Sequence, residues 1–117
     1  MEIKIFRLGF LSTNSYVVYE DGMGYIIDLG GDDLSGILKF VESNNIKLKG
    51  VMLTHGHFDH IEGIDQIMKK YPEAEFYIGE RDLACLTDPN ENLSIDFSTT
   101  DLSYNIAMEK LKNIKRW

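Results

Sequence analysis

Thr54-His55-Gly56-His57-Phe58-Asp59-His60-Ile61-Glu62-Gly63 holds every histidine of the chain and sets an aspartate directly before the last of them. In an extended segment, residues i and i+2 point to the same side, so His55 and His57 can converge on one ion. Asp59 and His60 lie beyond a tight turn and can face a second ion. Imidazole and carboxylate donors suit zinc, iron or manganese, and two such ions can share a hydroxide. Gly56 leaves room for the backbone to turn between donors. The bland alternative is a loop of polar residues. Three clustered histidines in a chain with no others tell against it.

Outward from this stretch, Gly50-Val51-Met52-Leu53-Thr54 is a short continuous apolar run, the pattern of a strand buried on both faces. The histidine motif hangs from its C-terminal end. Upstream, Ile3, Ile5 and Leu8 alternate with Glu2, Lys4 and Arg7, which predicts a half-buried strand. Ser12-Thr13-Asn14 reads as a turn and Ser15–Glu20 as a second strand. Asp21-Gly22 is a hairpin signal, returning through Gly24–Asp28 as a third strand. Leu29–Asp33 is a loop ending in a helix N-cap, and Leu34, Ile37, Leu38 and Val41 follow at helical spacing.

Downstream, Ile61, Ile64, Ile67 and Met68 predict a helix from Ile61 to Lys70, stopped at Tyr71-Pro72. Glu75–Ile78 is a further strand and Glu80–Leu86 a short helix. The order β-β-β-α-β-α-β-α is that of an α/β fold with a mixed sheet and helical crossovers. Its loops, and any site, lie along one edge of the sheet. Asp101–Trp117 reads as a helix, with Leu102, Ile106, Leu111 and Ile114 roughly on one side and basic residues in the last turn.

The chain has 117 residues, which predicts a single domain without disulfide staples. Its net charge of −7 disfavours attraction to nucleic acid or to an anionic membrane surface. A single cysteine, Cys85, fits a reducing, cytoplasmic setting. No apolar run approaches the roughly 20 residues of a membrane span.

The Thr54–Gly63 stretch resembles the signature of the metallo-β-lactamase superfamily, in particular its hydroxyacylglutathione hydrolase (glyoxalase II-like) branch. Thr13-Asn14-Ser15-Tyr16-Val17-Val18 is similar to that branch's first hairpin. Ile27-Asp28-Leu29-Gly30-Gly31-Asp32 is similar to its Ile-Asp-Pro-Gly-Gly-Asp turn, with Leu29 in place of proline. Tyr77-Ile78-Gly79-Glu80-Arg81-Asp82 and Leu86-Thr87-Asp88-Pro89 also fit. The likeness runs in order over about residues 1 to 94.

What the resemblance implies is an αββα sandwich and a zinc-dependent hydrolase. His55 and His57 would bind the first metal, Asp59 and His60 the second, and Asp59 would also orient the attacking hydroxide. Asp28 would hold a ligand from behind by a hydrogen bond; on residues alone it reads equally as a strand-end turn residue.

The family's later ligands, two further histidines and a bridging aspartate, have no counterpart here, because no histidine follows His60. The chain therefore reads as one half domain, the N-terminal half of the sandwich, with residues 101–117 as a divergent helical tail. A catalytic zinc site takes about three protein ligands plus water, so metal loading of the monomer is expected to be partial or weak. Cys85, Asp96 and Asp101 are available donors, although Cys85 reads better as a small buried hydrophobe and the two aspartates as solvated loop residues. A half sandwich leaves one sheet face without a cover. The tail or a second chain is expected to provide it, which predicts a homodimer or higher oligomer. Three readings follow: a thioester or ester hydrolase completed by a second chain, a catalytically inactive shortened relative that self-associates, or a piece of a longer protein.

Overall fold

The computed structural model describes residues 1–9, 11–31, 33–54, 56–86, 88, 90–91 and 114–116. Strands β1 (Glu2–Leu8), β2 (Thr13–Glu20) and β3 (Met23–Ile27) form the expected antiparallel meander. Its second turn is Asp21-Gly22, with φ of +53° and +77°. Positive φ at both turn residues matches the right-handed twist of the flanking strands, which is why Asp-Gly closes this hairpin. Helix α1 (Ser35–Ser43) then crosses to β4 (Lys47–Leu53), which pairs parallel with β3. Two short helices, α2 (Phe58–Ile61) and α3 (Ile64–Lys70), lead to β5 (Glu75–Ile78), parallel to β4. A 3₁₀ helix (Glu80–Leu86) follows, and β6 (Ile114–Arg116) adds in parallel to β5. The sheet order is β1-β2-β3-β4-β5-β6.

One face of the sheet carries the core. Val17, Ile26, Val51, Leu53, Phe76 and Ile78 point into it from the strands. Ile37 and Val41 of α1 and Ile64, Ile67 and Met68 of α3 meet them there. The i, i+4 spacing in α1 and the i, i+3, i+4 spacing in α3 are what put those side chains on one helix face. Phe40 of α1 also sits edge-on to Phe6 and Tyr19, each at a centroid distance of 5.7 Å.

Three expectations are corrected. First, β1 turns the other way: Ile3 and Ile5 are 59% and 56% exposed, while Phe6 and Leu8 pack against the core. A strand's two faces alternate strictly, so the face that meets α1 decides, and the aromatic contact of Phe6 with Phe40 selects it. Second, the helix expected from Ile61 to Lys70 is broken into α2 and α3 around Glu62-Gly63. A Cβ on Gly63 would lie 2.6 Å from Leu34 Cδ1, so the chain passes too close to Leu34 for any side chain at that point. Third, Ile114–Arg116 is a strand and not the end of a helix. The free edge of β5 offers backbone partners that a short segment with a β-branched residue can take. The rest of the tail, residues 101–113 and Trp117, lies outside the described residues.

Candidate functional site

β3, β4 and the turn after β4 deliver the site. Asp28 follows β3 with φ +64° and is 3% exposed. The left-handed conformation is one that aspartate tolerates better than most residues, and it swings the carboxylate across to the end of β4. There Asp28 Oδ1 accepts the Thr54 backbone N–H at 2.8 Å, and Oδ2 accepts the Thr54 hydroxyl at 2.7 Å. Its own N–H donates to the Met52 carbonyl at 2.8 Å. Asp28 is thus the clamp that joins the ends of two parallel strands.

The same Oδ2 stands 2.9 Å from His60 Nδ1. At that distance contact and opposite charge both hold the protonated ring against the carboxylate. On the far side of the ring, His60 Nε2 is 3.4 Å from Asp59 Oδ2, which in turn accepts the Thr13 hydroxyl at 2.8 Å. One imidazole therefore lies between two carboxylates, each steadied by a threonine. The backbone fixes the arrangement as well: the Leu29 N–H donates to the His60 carbonyl at 2.8 Å, and the His60 N–H to the His57 carbonyl at 2.9 Å.

Partial burial of His60 works against its charged form, but contact with Asp28 and the negative charges of Asp28 and Asp59 outweigh it. The net effect holds its pKa above the ordinary histidine value of 6.5. A histidine anchored by a carboxylate at one ring nitrogen presents the other nitrogen to a ligand in a fixed orientation. Here that nitrogen faces the Asp59 side.

The structure therefore brings Asp28, Asp59 and His60 together. His57 is exposed on the turn leading into α2, and His55, Asp96 and Asp101 lie outside the described residues. Among the described residues, no group of three or more His, Cys, Asp and Glu side chains is gathered to hold a metal ion. Asp59 and His60 have the donor chemistry of a divalent-ion pair, two of the roughly three protein donors that a catalytic site needs.

Thr13 and Thr54, which hydrogen-bond the Asp59 and Asp28 carboxylates, had no role in the sequence reading. Thr13 opens β2 and does not belong to the turn before it, and it meets Asp59 across 46 positions of chain. No local pattern reports such a contact. Cys85 is a buried residue, 6% exposed, as expected of a small hydrophobe. It packs against the motif itself: a Cβ on Gly56 would lie 2.3 Å from Cys85 Cβ and 2.8 Å from its Sγ. The glycine of His-Gly-His is thus required by the approach of the 3₁₀ helix as well as by the turn.

The sequence profile of the metallo-beta-lactamase superfamily matches residues 8–112. The chain belongs to that superfamily. It is 32% identical over 90 residues to a hydroxyacylglutathione hydrolase of Legionella pneumophila, covering 74% of this chain and 35% of that protein. It also superimposes on the BLEG-1 B3 metallo-beta-lactamase with a TM-score of 0.80 and 28% identity, covering 89% of this chain and 49% of the other. TTHA1623, solved in a di-iron-bound form, shares the fold at a TM-score of 0.65 and 24% identity, over 78% of this chain and 44% of the other. The chain spans about a third of the length of the curated hydroxyacylglutathione hydrolases it matches. As a superfamily member it has a hydrolase-type fold, and among the described residues no helix is long and apolar enough to cross a membrane.

Proposed function

We propose that this chain carries the His-x-His-x-Asp-His portion of a metal-dependent hydrolase that acts on thioesters or related esters, and that donors from a second chain complete its site. The observation that supports this reading is the ordered row Thr54–Asp28–His60–Asp59–Thr13, which fixes one imidazole and one carboxylate with their donor atoms 3.4 Å apart. Likeness to hydroxyacylglutathione hydrolases favours the thioester class.

His55 and His57 would hold one ion and Asp59 with His60 the other, zinc being the first choice and iron or manganese the alternatives. A divalent ion bound there supplies a water of lowered pKa and polarises the scissile carbonyl. Within this chain, Asp59 is the acceptor that orients the attacking water. Thr13 leaves that carboxylate with lone pairs to spare, because it occupies only one direction of Oδ2. Asp28 holds His60 in place and takes no part in the chemistry.

The second reading is a non-catalytic relative that keeps the fold. It is favoured by the sequence, in which no histidine follows His60 to serve as a further ligand. Zinc analysis on protein of measured oligomeric mass, paired with hydrolysis of a hydroxyacylglutathione thioester, separates the two. The hydrolase reading expects bound zinc and turnover that His57→Ala abolishes. Zinc-loaded protein without turnover establishes the non-catalytic reading, and turnover that survives His57→Ala rules out this site as its source.

A further inference from the structure

Three polar residues are buried among the described residues: Thr13, Ser15 and Asp28. Thr13 holds Asp59 and Asp28 holds Thr54, so two of the three serve the histidine motif directly. Ser15 is the deepest of them, 0% exposed, and its Oγ accepts the Gly30 backbone N–H at 3.1 Å. Residues two apart on a strand share a face, so Thr13 and Ser15 look the same way from β2. A hydroxyl in a dry core is tolerated where it satisfies another polar group. Here that group is an amide of the loop after β3. The ladder between β2 and β3 ends at the pair Tyr16 and Ile27, because Asp28 turns away in the left-handed conformation at φ +64°. Ser15 is the next residue of β2 past that last pair, and its side chain replaces the lost backbone bond.

Gly30 is where the loop meets the site. A Cβ on it would lie 2.9 Å from Thr13 Cβ, 3.2 Å from Thr13 Cγ2 and 3.3 Å from the Asp59 carbonyl oxygen. It therefore packs at once on both partners of the Thr13–Asp59 hydrogen bond, on the side chain of one and the backbone of the other. Its neighbours are tied elsewhere. The Leu29 N–H donates to the His60 carbonyl at 2.8 Å, and the Leu29 carbonyl accepts the Gly63 N–H at 3.3 Å. Gly31, at φ +88°, passes so close to the β1–β2 turn that a Cβ there would lie 2.9 Å from the Gly9 nitrogen. Ser15 acts on Gly30 itself.

We propose that Ser15 is a positioning residue, which by holding the Gly30 N–H sets the gap in which the Thr13 hydroxyl meets the Asp59 carboxylate. Strand β2 then holds the loop through Ser15 and the carboxylate through Thr13, so both are referred to one strand. The direction of the Asp59 donor oxygen follows from that common reference. Its consequence for a metal ion rests on the proposed hydrolase reading; the chain of contacts does not.

Zinc titration of the full chain tests the proposal, with Ser15→Ala, Thr13→Val and the double variant. Ser15→Ala is expected to weaken zinc binding about 10-fold, the lower end of the loss from a missing support behind a ligand. Because Ser15 acts through Thr13, the double variant binds no more weakly than Thr13→Val alone. Val17→Ala, next along the same face of β2 and equally buried, removes packing and leaves zinc affinity unchanged. Ser15→Cys, similar in shape but a weak acceptor, falls between wild type and Ser15→Ala, and it carries the same cycle where Ser15→Ala fails to fold. Unchanged affinity in a folded Ser15→Ala overturns the proposal, as do additive losses in the double variant. Equal weakening by Val17→Ala also overturns it, since general loosening is then the cause. Wild-type protein that binds no zinc sinks the hydrolase reading by itself. The same cycle read by urea unfolding of the metal-free protein then decides on Ser15: coupled losses of Ser15→Ala and Thr13→Val uphold its role, and additive losses overturn it. Zinc binding with the expected coupling but no thioester turnover upholds Ser15 and counts against the hydrolase alone.

Discussion

Thr13 donates its hydroxyl to Asp59 Oδ2 at 2.8 Å, and that same oxygen is the one that stands 3.4 Å from His60 Nε2. The hydroxyl thus sets where the carboxylate points, from a strand 46 positions away in sequence. Gly30 guards the contact, since a Cβ there would come within 2.9 Å of Thr13 Cβ. Thr13→Val keeps the shape and removes the donor. Cobalt or zinc affinity, measured by titration calorimetry, is expected to fall about 10- to 100-fold, the usual cost of losing a partner behind a ligand. Thr13→Ser restores it. Equal affinity in Thr13→Val and the wild type would show that Asp59 holds its orientation without help.

The Asp28 clamp makes a second prediction, on stability. Asp28→Ala withdraws the acceptor of both Thr54 hydrogen bonds in a buried position and leaves an alanine at φ +64°. A lost buried acceptor costs about 1–3 kcal/mol, and left-handed strain about 1–2 kcal/mol more. Urea unfolding is expected to register a loss of about 3 kcal/mol. Asp28→Asn, which tolerates the left-handed region and retains an acceptor, is expected to lose about 1 kcal/mol. Similar losses for the two variants would deny the carboxylate its clamping role.

Local patterns carried much of this fold and half of the site. Asp21-Gly22 specifies its own turn, and Leu34, Ile37 and Val41 specify a helix face, because turn chemistry and helical period act over a few residues. The apolar run before Thr54 puts the motif at the end of a central strand for the same reason. What stayed hidden depends on neighbours distant in sequence. The facing of Ile3 and Ile5 is decided by Phe40, the break at Gly63 by Leu34, and the strand at Ile114–Arg116 by the edge of β5. The Thr13–Asp59 contact belongs to the same class: a threonine before a strand looks like a turn residue until the fold brings Asp59 to it.

His60 ties the pH dependence of the metal-free protein to its two carboxylates. Its pKa is held above 6.5 in the folded state, so the folded protein binds that proton more tightly than the unfolded chain does. The associated stability is fully present below pH 6.5 and is lost as pH rises through the folded-state value. The side chain is 17% exposed, and the burial that opposes its charged form keeps the net gain small. Chelator-treated wild type is therefore expected to lose a small increment of stability from pH 6 to pH 8.5 relative to His60→Gln. Zinc binding runs the other way, since the ligand must be deprotonated, and its affinity rises over the same interval. Parallel wild-type and His60→Gln stability profiles would remove His60 as the titrating group.

Gly56 and Cys85 couple the motif to the 3₁₀ helix at Glu80–Leu86 through a contact too close for a methyl group. Gly56→Ala would put a carbon 2.3 Å from Cys85 Cβ, with the Asp82 carbonyl oxygen 3.1 Å away on the same side. One of the two segments must move, and overpacking of this kind costs about 1–3 kcal/mol. Removing the opposing carbon with Cys85→Gly vacates the space, so the double variant is expected to be more stable than the sum of the two single losses predicts. A double-mutant cycle by thermal unfolding measures that coupling, which for residues in contact is about 0.5–3 kcal/mol. The coupling has a functional face, because Gly56 precedes His57 directly. Gly56→Ala is expected to weaken zinc binding, and Cys85→Gly to restore it in part, whereas Gly36→Ala on α1, where a Cβ meets nothing within 4 Å, is expected to leave zinc affinity unchanged. Additive stability losses together with unrescued zinc binding would mean that the turn tolerates the methyl by moving outward, free of the 3₁₀ helix.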